Sequence, residues 1–422
     1  MTAAPEPQTA AATFHDLVTR GRNVLLTGPA GTGKSTLLRN EIDPLDPSVA
    51  ITASTGIAAI NVGGSTIHRW SGMTLGPGRG DDPHDYLREL LRDKRHSVRA
   101  GLDRIRSCSL LVLDEVSMLP GTTLAFFDLL CRTVRRCSDP FGGIQIIATG
   151  DMLQLPPVRT DPREAYDWSF LTKAWVEADF ATLHLTKVHR QADQAFAQAL
   201  GEFRMGRLSP ESASLLASRV TRFPEADTPR LFTHNSQVDR WNDYRLTCID
   251  AQETVIEART EGPEHQIEFL CKNLLTPERL VLKPGAKVMF TVNQPDQGFM
   301  NGQTGTVLEC GRNTASVLCG ERLIQVTPYE WRFDPRDRNS ATFTQLPLRL
   351  AWSMSIHKAQ GLTLERAYID VRAAREPGQA YVAVSRVRSL AGLHLKSWFS
   401  GVFVSQAALE FYRSLPPSRF SE

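Results

Sequence analysis

A glycine-rich octapeptide separates two segments of different periodicity near the start of the chain. It reads Gly28-Pro29-Ala30-Gly31-Thr32-Gly33-Lys34-Ser35, after the apolar run 24–26 and before a helical stretch from residue 36. The pattern G-x-x-x-x-G-K-[ST] between a strand and a helix is typical of a phosphate loop. Glycines allow the backbone to fold around phosphate oxygens, and the helix N-terminus adds partial positive charge. The flanking elements argue against an accidental glycine-rich turn, so we predict nucleoside triphosphate binding.

The polar residues of this loop have separate expected roles. Lys34 supplies a full positive charge to the β- and γ-phosphates, and the Ser35 hydroxyl is placed to bind Mg²⁺. The residues expected to contact the nucleotide are Gly28, Gly31, Thr32, Gly33, Lys34, Ser35 and Thr36.

Length and composition bound the class of protein. A chain of 422 residues with a net charge of +2 is expected to form two to four domains. Because the charge is nearly balanced, any contact with a polyanion must come from local patches. The seven cysteines are scattered without a C-x-x-C pair, which gives no indication of a zinc site or disulfide framework. No apolar stretch is long enough to cross a bilayer, and the first 13 residues do not resemble a secretory signal. We therefore expect a cytoplasmic protein without a membrane partner.

Apolar runs alternate with helical segments over residues 14–185, which predicts a parallel sheet covered on both faces. The polar, arginine-rich stretch 72–107 interrupts this pattern, and we interpret it as a small insert. Short strands divided by glycine-bearing turns follow between residues 287 and 327, which predicts an antiparallel β insert before α/β character returns at 346.

Two carboxylates follow the apolar run 110–113. At the carboxyl end of a parallel strand beside the phosphate loop, Asp114 is expected to hold Mg²⁺ together with Ser35. Glu115 is then placed to act as the general base on the attacking water. Adjacent acids at a strand end can also be plain turn residues, but their occurrence in a chain with a phosphate loop favours function.

Three further residues are candidates for contact with the γ-phosphate. Gln154 follows another buried strand, in a Gly-Asp-x-x-Gln-x-Pro-Pro segment that could equally be a turn. Arg190 and Arg386 lie far downstream, where by composition alone either is a surface residue. An inserted arginine nevertheless stabilises the transition state of phosphoryl transfer by about 10³–10⁵ in rate.

Four additional segments make a family resemblance visible. Residues 53–68, 185–191, 355–363 and 378–386 resemble motifs Ia, IV, V and VI of superfamily 1 helicases, and the segments above then correspond to motifs I, II and III. Residues 196–206 and 301–305 are similar to segments of the petite integration frequency (Pif-one) family of DNA helicases. The motifs follow the family order from residue 28 to residue 386.

The resemblance implies an α/β fold with two RecA-like domains, a small helical insert in the first and an SH3-like β insert in the second. The implied boundaries are 1–71 with 108–182 for domain 1A and 72–107 for insert 1B. Domain 2A is expected to comprise 183–246 with 346–422, and insert 2B to comprise 247–345.

The resemblance also implies the residue roles. Lys34, Asp114, Glu115 and Gln154 form one half of an ATP–Mg²⁺ site, and Arg190 and Arg386 act as arginine fingers. In motif V, the residues expected to line the nucleotide are Gln360, Gly361 and Glu365. The residues expected to contact DNA are Thr55, Gly56, His68, His357 and Lys358. Trp70 could stack on a base, but we favour a core position for it.

A monomeric motor is implied that moves 5′-to-3′ on single-stranded DNA and unwinds forked or structured DNA. Two other functions stay open: a RecD-like motor subunit of a larger repair complex, and a nucleic-acid-binding protein that uses ATP only as a structural ligand. One position departs from the family, because Ala11 stands where an adenine-reading glutamine is usual and the nearest glutamine is Gln8.

Overall fold

The chain divides into two compact units in the computed structural model. Unit 1 comprises residues 1–189 and 404–422, and unit 2 comprises residues 190–403. The structure describes residues 10–42, 46, 48–73, 76–77, 81–159, 161, 163–225, 227–333, 340–399, 401 and 403–415. Gln8 lies outside the described residues, whereas Ala11 lies in the first helix.

A parallel sheet forms the centre of unit 1. Its order is β3-β2-β4-β5-β1-β6, and every neighbouring pair is parallel. The strands are β1 Val24–Thr27, β2 Val49–Ala53, β3 Ser65–Thr66, β4 Leu110–Asp114, β5 Gln145–Gly150 and β6 Ala181–His184. The inner strands are buried almost throughout, as expected for apolar runs covered by helices on both faces. The predicted α/β class is confirmed here.

The helices of unit 1 cover this sheet. They are α1 Ala10–Thr19, α2 Lys34–Glu41, α3 Gly56–Asn61, α4 Ile67–Ser71, α5 Pro83–Arg92, α6 His96–Ser107, α7 Gly121–Arg135, α8 Lys173–Glu177 and α15 Gln406–Ser414. Phe14 of α1 and Leu38 of α2 pack with strand residues such as Val112 in one core cluster.

The basic stretch 72–107 contains helices α5 and α6. Helix α5 begins at Pro83, where the Asp82 side chain accepts a hydrogen bond from the N–H of His84 and so caps the helix. Arg104 of α6 donates from Nε to the carbonyl of Trp70 at 2.7 Å. Trp70 itself is 8% exposed and lies edge-on to Phe127, so it occupies a core position.

Unit 2 is built around a second parallel sheet, of order β18-β7-β19-β20. Its strands are β7 Arg230–Phe232, β18 Ser353–Ser355, β19 Ala367–Asp370 and β20 Leu393–Ser397. The helices of the unit are α9 Gln194–Arg204, α10 Pro210–Ala217, α11 Asn235–Thr247, α12 Glu264–Asn273, α13 Ile356–Ala359 and α14 Gln379–Val384.

Antiparallel strands fill the region between β7 and β18. They form sheets of order β14-β13-β12-β11-β17, β15-β16-β9 and β10-β8. The strands are β8 Thr254–Glu257, β9 Arg259–Glu261, β10 Arg279–Leu282, β11 Lys287–Phe290, β12 Thr304–Cys310, β13 Ala315–Cys319, β14 Arg322–Val326, β15 Tyr329–Arg332, β16 Thr342–Gln345 and β17 Leu348–Leu350. The return to parallel pairing expected at 346 begins only at β18, because β17 still pairs antiparallel with β11.

The limits of the two compact units differ from the predicted domain boundaries at two places. Residues 183–189 belong to unit 1, since β6 pairs with β1 along its whole length. The final helix α15 also belongs to unit 1, although the prediction assigned 346–422 to the second domain. Phe411 of α15 stacks on Phe170 with ring centroids 4.6 Å apart and meets Trp175 edge-on, which anchors the helix there. The division into 1A, 1B, 2A and 2B remains a prediction.

None of the helices in the described part of the chain combines the length and apolarity needed to cross a lipid bilayer.

Candidate active site

The phosphate-loop segment connects the end of β1 to the start of α2. Gly28 has φ +148°, and a Cβ placed there would lie 2.2 Å from the carbonyl oxygen of Leu185. Gly31 and Gly33 adopt φ +81° and +86°, in the left-handed region that favours glycine. The glycines of this segment are therefore required by backbone conformation and by close approach of a neighbouring chain segment.

Side chains and backbone groups hold this loop in place. The Lys34 ammonium donates to the carbonyl oxygens of Gly28 at 2.7 Å and Pro29 at 3.0 Å. The Thr32 hydroxyl also donates to Pro29, and the His189 N–H donates to Gly31 at 2.8 Å. The residues predicted to bind phosphate thus lie in one loop with their positive group held against it.

Asp114 ends β4 and is 6% exposed. In the parallel sheet, β5 lies between β4 and β1. The carboxylate oxygen Oδ1 accepts from the Thr149 hydroxyl and the Glu115 N–H, both at 2.9 Å. Burial raises the pKa of Asp114, while these two hydrogen bonds and the Lys34 charge act in the opposite direction.

Glu115 has φ +51° and ψ +45°, a left-handed conformation that is costly for a residue with a Cβ. Its carbonyl oxygen accepts from the Ser54 hydroxyl at 2.7 Å and from the Met118 N–H at 3.1 Å. Those contacts fix the turn after β4. Strained backbone that is held by its surroundings is common at functional sites.

Gln154 lies in the segment that follows β5. Its N–H donates to the Asp151 carbonyl at 2.9 Å, and its side-chain amide Nε2 donates to Asp151 Oδ2 at 3.2 Å. Asp151 is fully buried and Gln154 is 5% exposed. The hydrogen bond to Asp151 holds the side chain of Gln154. A Cβ at Gly150 would make a tight contact, 3.1 Å from Val116.

Oxygen ligands for a hard divalent cation are present in unit 1. Mg²⁺ prefers a few carboxylate and hydroxyl oxygens together with substrate phosphates. The carboxylate of Asp114 and the hydroxyl of Ser35, in the first turn of α2, are ligands of that chemistry. In the described part of the chain no three His, Cys, Asp or Glu residues form a cluster that could hold a metal alone. The residues present fit a magnesium ion that arrives with a nucleotide.

Arg190 and Arg386 lie together in unit 2. Arg190 Nη1 donates to the carbonyl of Ser385 at 3.2 Å, immediately before Arg386 in the chain. Arg386 is 2% exposed and donates from Nε to Val382 and from Nη2 to the Ser385 hydroxyl, both at 2.9 Å. Gln191, which the sequence did not single out, donates to the carbonyls of Ser385 and Val387. The structure thus brings the two predicted arginines to one backbone segment.

The motif V candidates occupy different environments. Gln360 is 8% exposed, and Gly361 follows it with φ +81°. Glu365 is exposed and forms an ion pair with Arg388 at 3.2 Å. Glu365 therefore has a surface partner, whereas Gln360 is packed into unit 2.

The DNA-contact candidates of unit 1 lie at the carboxyl ends of β2 and β3. Thr55 caps α3 by accepting from the Ala58 N–H at 3.2 Å, and Gly56 is the first residue of that helix. His68 lies in α4, where burial lowers its pKa. Burial therefore favours the neutral imidazole of His68, which can donate a hydrogen bond to a phosphate oxygen.

The DNA-contact candidates of unit 2 lie in α13. Burial lowers the pKa of both His357 and Lys358, and the neighbouring Arg349 lowers that of Lys358 further. Arg349 is 8% exposed, and burial lowers its pKa to about 10. Among the described residues its Nε and Nη1 have no hydrogen-bond partner. Arg349 is a second cation at this position that the sequence patterns did not indicate.

Sequence reasoning also missed the residues that support the site. Ser54 and Thr149 hold the turn and the carboxylate of motif II, and Gln191 holds the backbone beside Arg386. Tyr412 of α15 donates from its hydroxyl to Asp151 Oδ1 at 3.0 Å. Ser54, Thr149 and Gln191 stand within or next to recognised motifs, which is a weak signal, and Tyr412 carries none.

Comparisons with known proteins show which family the chain resembles. The family model described as PIF1-like helicase matches residues 10–210. A Bdellovibrio bacteriovorus protein named ATP-dependent DNA helicase Pif1 is 37% identical over 403 residues, which is 94% of this chain and 90% of the relative. The chain spans 63% of the length of the zebrafish and human relatives that it also matches.

Solved structures of Pif1 helicases are also similar to this chain over nearly its whole length. A crystal structure of Bacteroides sp Pif1 in complex with ADP-AlF4 is 27% identical, covers 97% of each chain and has a TM-score of 0.83. A structure of Bacteroides Pif1 in complex with ADP-AlF3 and ssDNA is 28% identical, also covers 97% of each chain and has a TM-score of 0.66.

Proposed function

Because the chain belongs to the PIF1-like helicase family, we propose that it is an ATP-driven motor that translocates 5′-to-3′ on single-stranded DNA and unwinds duplex ahead of it. The observation that carries the proposal is that one parallel sheet positions all of these groups. The phosphate loop follows β1, Asp114 and Glu115 lie at the end of β4, and Gln154 follows β5. A Bacteroides Pif1 helicase of the same fold was crystallised in complex with ADP-AlF3 and ssDNA.

In the proposed hydrolysis step, Lys34 neutralises charge on the β- and γ-phosphates. Glu115 accepts a proton from the water that attacks the γ-phosphorus, the bond from that phosphorus to the β,γ-bridging oxygen breaks, and ADP and inorganic phosphate leave. Gln154 contacts the γ-phosphate. Ser35 and Asp114 would hold a magnesium ion, which would supply positive charge against the charge that develops on the phosphate oxygens. The hydrogen bonds to Asp114 and to the Glu115 carbonyl support these roles, since they fix the turn from which both acids project.

Arg190 and Arg386 are proposed to stabilise the charge on the transferring phosphoryl group. Both donate to the backbone at the C-terminal end of α14, Arg386 to the carbonyl of Val382 and Arg190 to that of Ser385. These bonds support a joint role, since one shift of that segment moves both guanidinium groups. Loss of an arginine of this kind costs about 10³–10⁵ in turnover. Gln360, Gly361 and Glu365 are proposed to line the nucleotide from the same unit.

DNA is proposed to contact Thr55, Gly56 and His68 of unit 1 and His357 and Lys358 of unit 2. Hydroxyls, backbone N–H groups and neutral imidazoles suit phosphate oxygens, which carry no sequence information. ATP-dependent changes in the hold of each unit on the strand produce net movement when the two units grip in alternation.

Unwinding of partial duplexes tests the proposal. The purified chain is incubated with duplexes that carry a single-stranded tail at either the 5′ or the 3′ end, with and without ATP. We expect ATP-dependent strand release only from the 5′-tailed substrate. Release from the 3′-tailed substrate would overturn the polarity, and ATP hydrolysis without release from either would favour a motor subunit that acts only within a larger complex.

A further inference from the structure

We propose that Tyr412, in the last helix of the chain, is a positioning residue for ATP hydrolysis that acts through Asp151 on Gln154. The inference rests on the proposed role of Gln154 at the γ-phosphate. Tyr412 lies 258 positions beyond Gln154 in the sequence, and no motif described above includes it.

The hydroxyl of Tyr412 uses its full hydrogen-bonding capacity within unit 1. A tyrosine hydroxyl has one proton to donate and two acceptor positions. The proton goes to Asp151 Oδ1 at 3.0 Å. The Met152 N–H donates to the Tyr412 oxygen at 3.2 Å. The Thr27 hydroxyl, 2.6 Å away, must therefore be the donor in the third bond.

These three bonds join the two strands that precede the catalytic loops. Thr27 is the last residue of β1, immediately before the phosphate loop, and Met152 follows β5. Thr27, Asp151 and Met152 are each at most 1% exposed. Because water does not reach them, a hydroxyl removed from this position leaves buried polar groups without a substitute partner.

Asp151 transmits the position to Gln154. Its Oδ1 accepts from Tyr412 and from the Leu153 N–H at 3.1 Å, and its Oδ2 accepts from Gln154 Nε2 at 3.2 Å. One carboxylate oxygen is thus fixed by α15 while the other fixes the side chain of Gln154. Rotation of the carboxylate would release Gln154.

The docking of α15 is independent of this hydroxyl. The ring of Phe411 stacks on Phe170 and meets Trp175 edge-on, so the helix keeps its aromatic anchor when Tyr412 becomes phenylalanine. The substitution Tyr412→Phe therefore removes the polar connection and leaves the packing in place.

A role through Gln154 predicts a specific kinetic signature. Because Gln154 contacts the phosphoryl group as it is transferred, misplacement lowers kcat and leaves ground-state nucleotide binding unchanged. We expect Tyr412→Phe to reduce kcat of ssDNA-stimulated ATP hydrolysis about tenfold, the size expected for a lost hydrogen bond to a charged group. The KM for ATP and the Kd for ADP change less than about twofold, while affinity for ADP–aluminium fluoride falls with kcat.

The experiment compares the full chain with Tyr412→Phe, Gln154→Ala and the double variant. Residues that act in one chain of contacts give non-additive effects. Tyr412→Phe should therefore lower kcat in the parent and have no further effect in the Gln154→Ala background. Ser414→Ala, which removes an exposed hydroxyl of the same helix that donates to the Phe411 carbonyl, is the matched control and should leave kcat unchanged.

The possible outcomes distinguish the role of Gln154 at the γ-phosphate from the role of Tyr412 in positioning it. A fall in kcat for Gln154→Ala without one for Tyr412→Phe overturns the inference and leaves the role of Gln154 intact. Normal kcat for Gln154→Ala removes that role, and with it the inference. Additive losses overturn the route through Gln154. If Tyr412→Phe does not fold, Thr27→Val, which removes one donor to the Tyr412 oxygen, is expected to lower kcat in the same direction, and unchanged kcat in that variant overturns the inference.

Discussion

The left-handed backbone conformation of Glu115 predicts that this residue lowers the stability of unit 1, a cost that its proposed role as general base explains. A residue with a Cβ in this region costs about 1–2 kcal/mol relative to its relaxed conformation. Glu115 adopts φ +51° and ψ +45°, and hydrogen bonds from Ser54 and Met118 to its carbonyl oxygen hold it there. Those bonds reach Glu115 only through its backbone, so a substitution of its side chain preserves them.

Two variants separate the strain from the chemistry. Glu115→Gln keeps the Cβ and the strain but removes the carboxylate, whereas Glu115→Gly removes both. Glycine relieves about 1–2 kcal/mol of strain and loses about 0.5–1 kcal/mol through the greater entropy of the unfolded chain. With the middle of each range, Glu115→Gly is expected to be more stable than Glu115→Gln by about 0.75 kcal/mol. For a unit of this size that corresponds to a rise of about 1.5–3 °C in the thermal midpoint.

Calorimetry and an ATPase assay read the two effects separately. The thermal transition that shifts on addition of ADP reports unit 1, and its midpoint is compared between the two variants. Both variants should bind ADP with normal affinity and lose most ATP turnover, because neither has a base at position 115. A midpoint for Glu115→Gly at or below that of Glu115→Gln would refute the strain argument. Normal turnover by Glu115→Gln would refute the assignment of the base.

Three further changes test other parts of the account. Gly28→Ala should abolish ADP binding in a fluorescent-nucleotide titration, because its Cβ would lie 2.2 Å from a backbone oxygen, whereas Gly21→Ala, with nothing within 4 Å, should bind normally. Thr149→Val removes the hydrogen bond to Asp114. The Mg²⁺ concentration for half-maximal ATPase activity should rise by about tenfold, as when a metal ligand loses its hydrogen-bond partner. An unchanged Mg²⁺ requirement would contradict the proposal that Asp114 is a ligand. Lys358→Ala should make the log–log salt dependence of ssDNA binding shallower by about 0.7, the value for one phosphate contact, and an unchanged slope would exclude that contact.

Local patterns predicted much of unit 1 because its strands are short, apolar and separated by helices. Strand β1, Val24–Thr27, contains the apolar run 24–26 that precedes the phosphate loop, and the loop that follows β1 has the left-handed glycines that its motif requires. The antiparallel region was also visible, since the short strands expected between residues 287 and 327 begin with Lys287–Phe290 and end with Arg322–Val326.

Long-range contacts decided the features that the sequence did not reveal. No local pattern shows that β5 separates β4 from β1, since strand order depends on pairing between distant segments. The same limit explains why α15 was assigned to the second domain. Nothing in the local sequence around Phe411 and Tyr412 shows that they contact the distant residues Phe170 and Asp151 of unit 1. Arg349 was overlooked for the same reason, because β17 was interpreted as the start of the returning α/β fold.

We propose that ATP hydrolysis requires cationic groups of unit 2 as well as the phosphate loop of unit 1. The decisive measurement is steady-state ATP hydrolysis by Arg386→Lys at saturating ssDNA, with ADP binding measured in parallel. We expect normal ADP affinity and a fall in turnover of at least about 10³-fold, as for loss of an arginine finger. Turnover equal to that of the parent chain would contradict it.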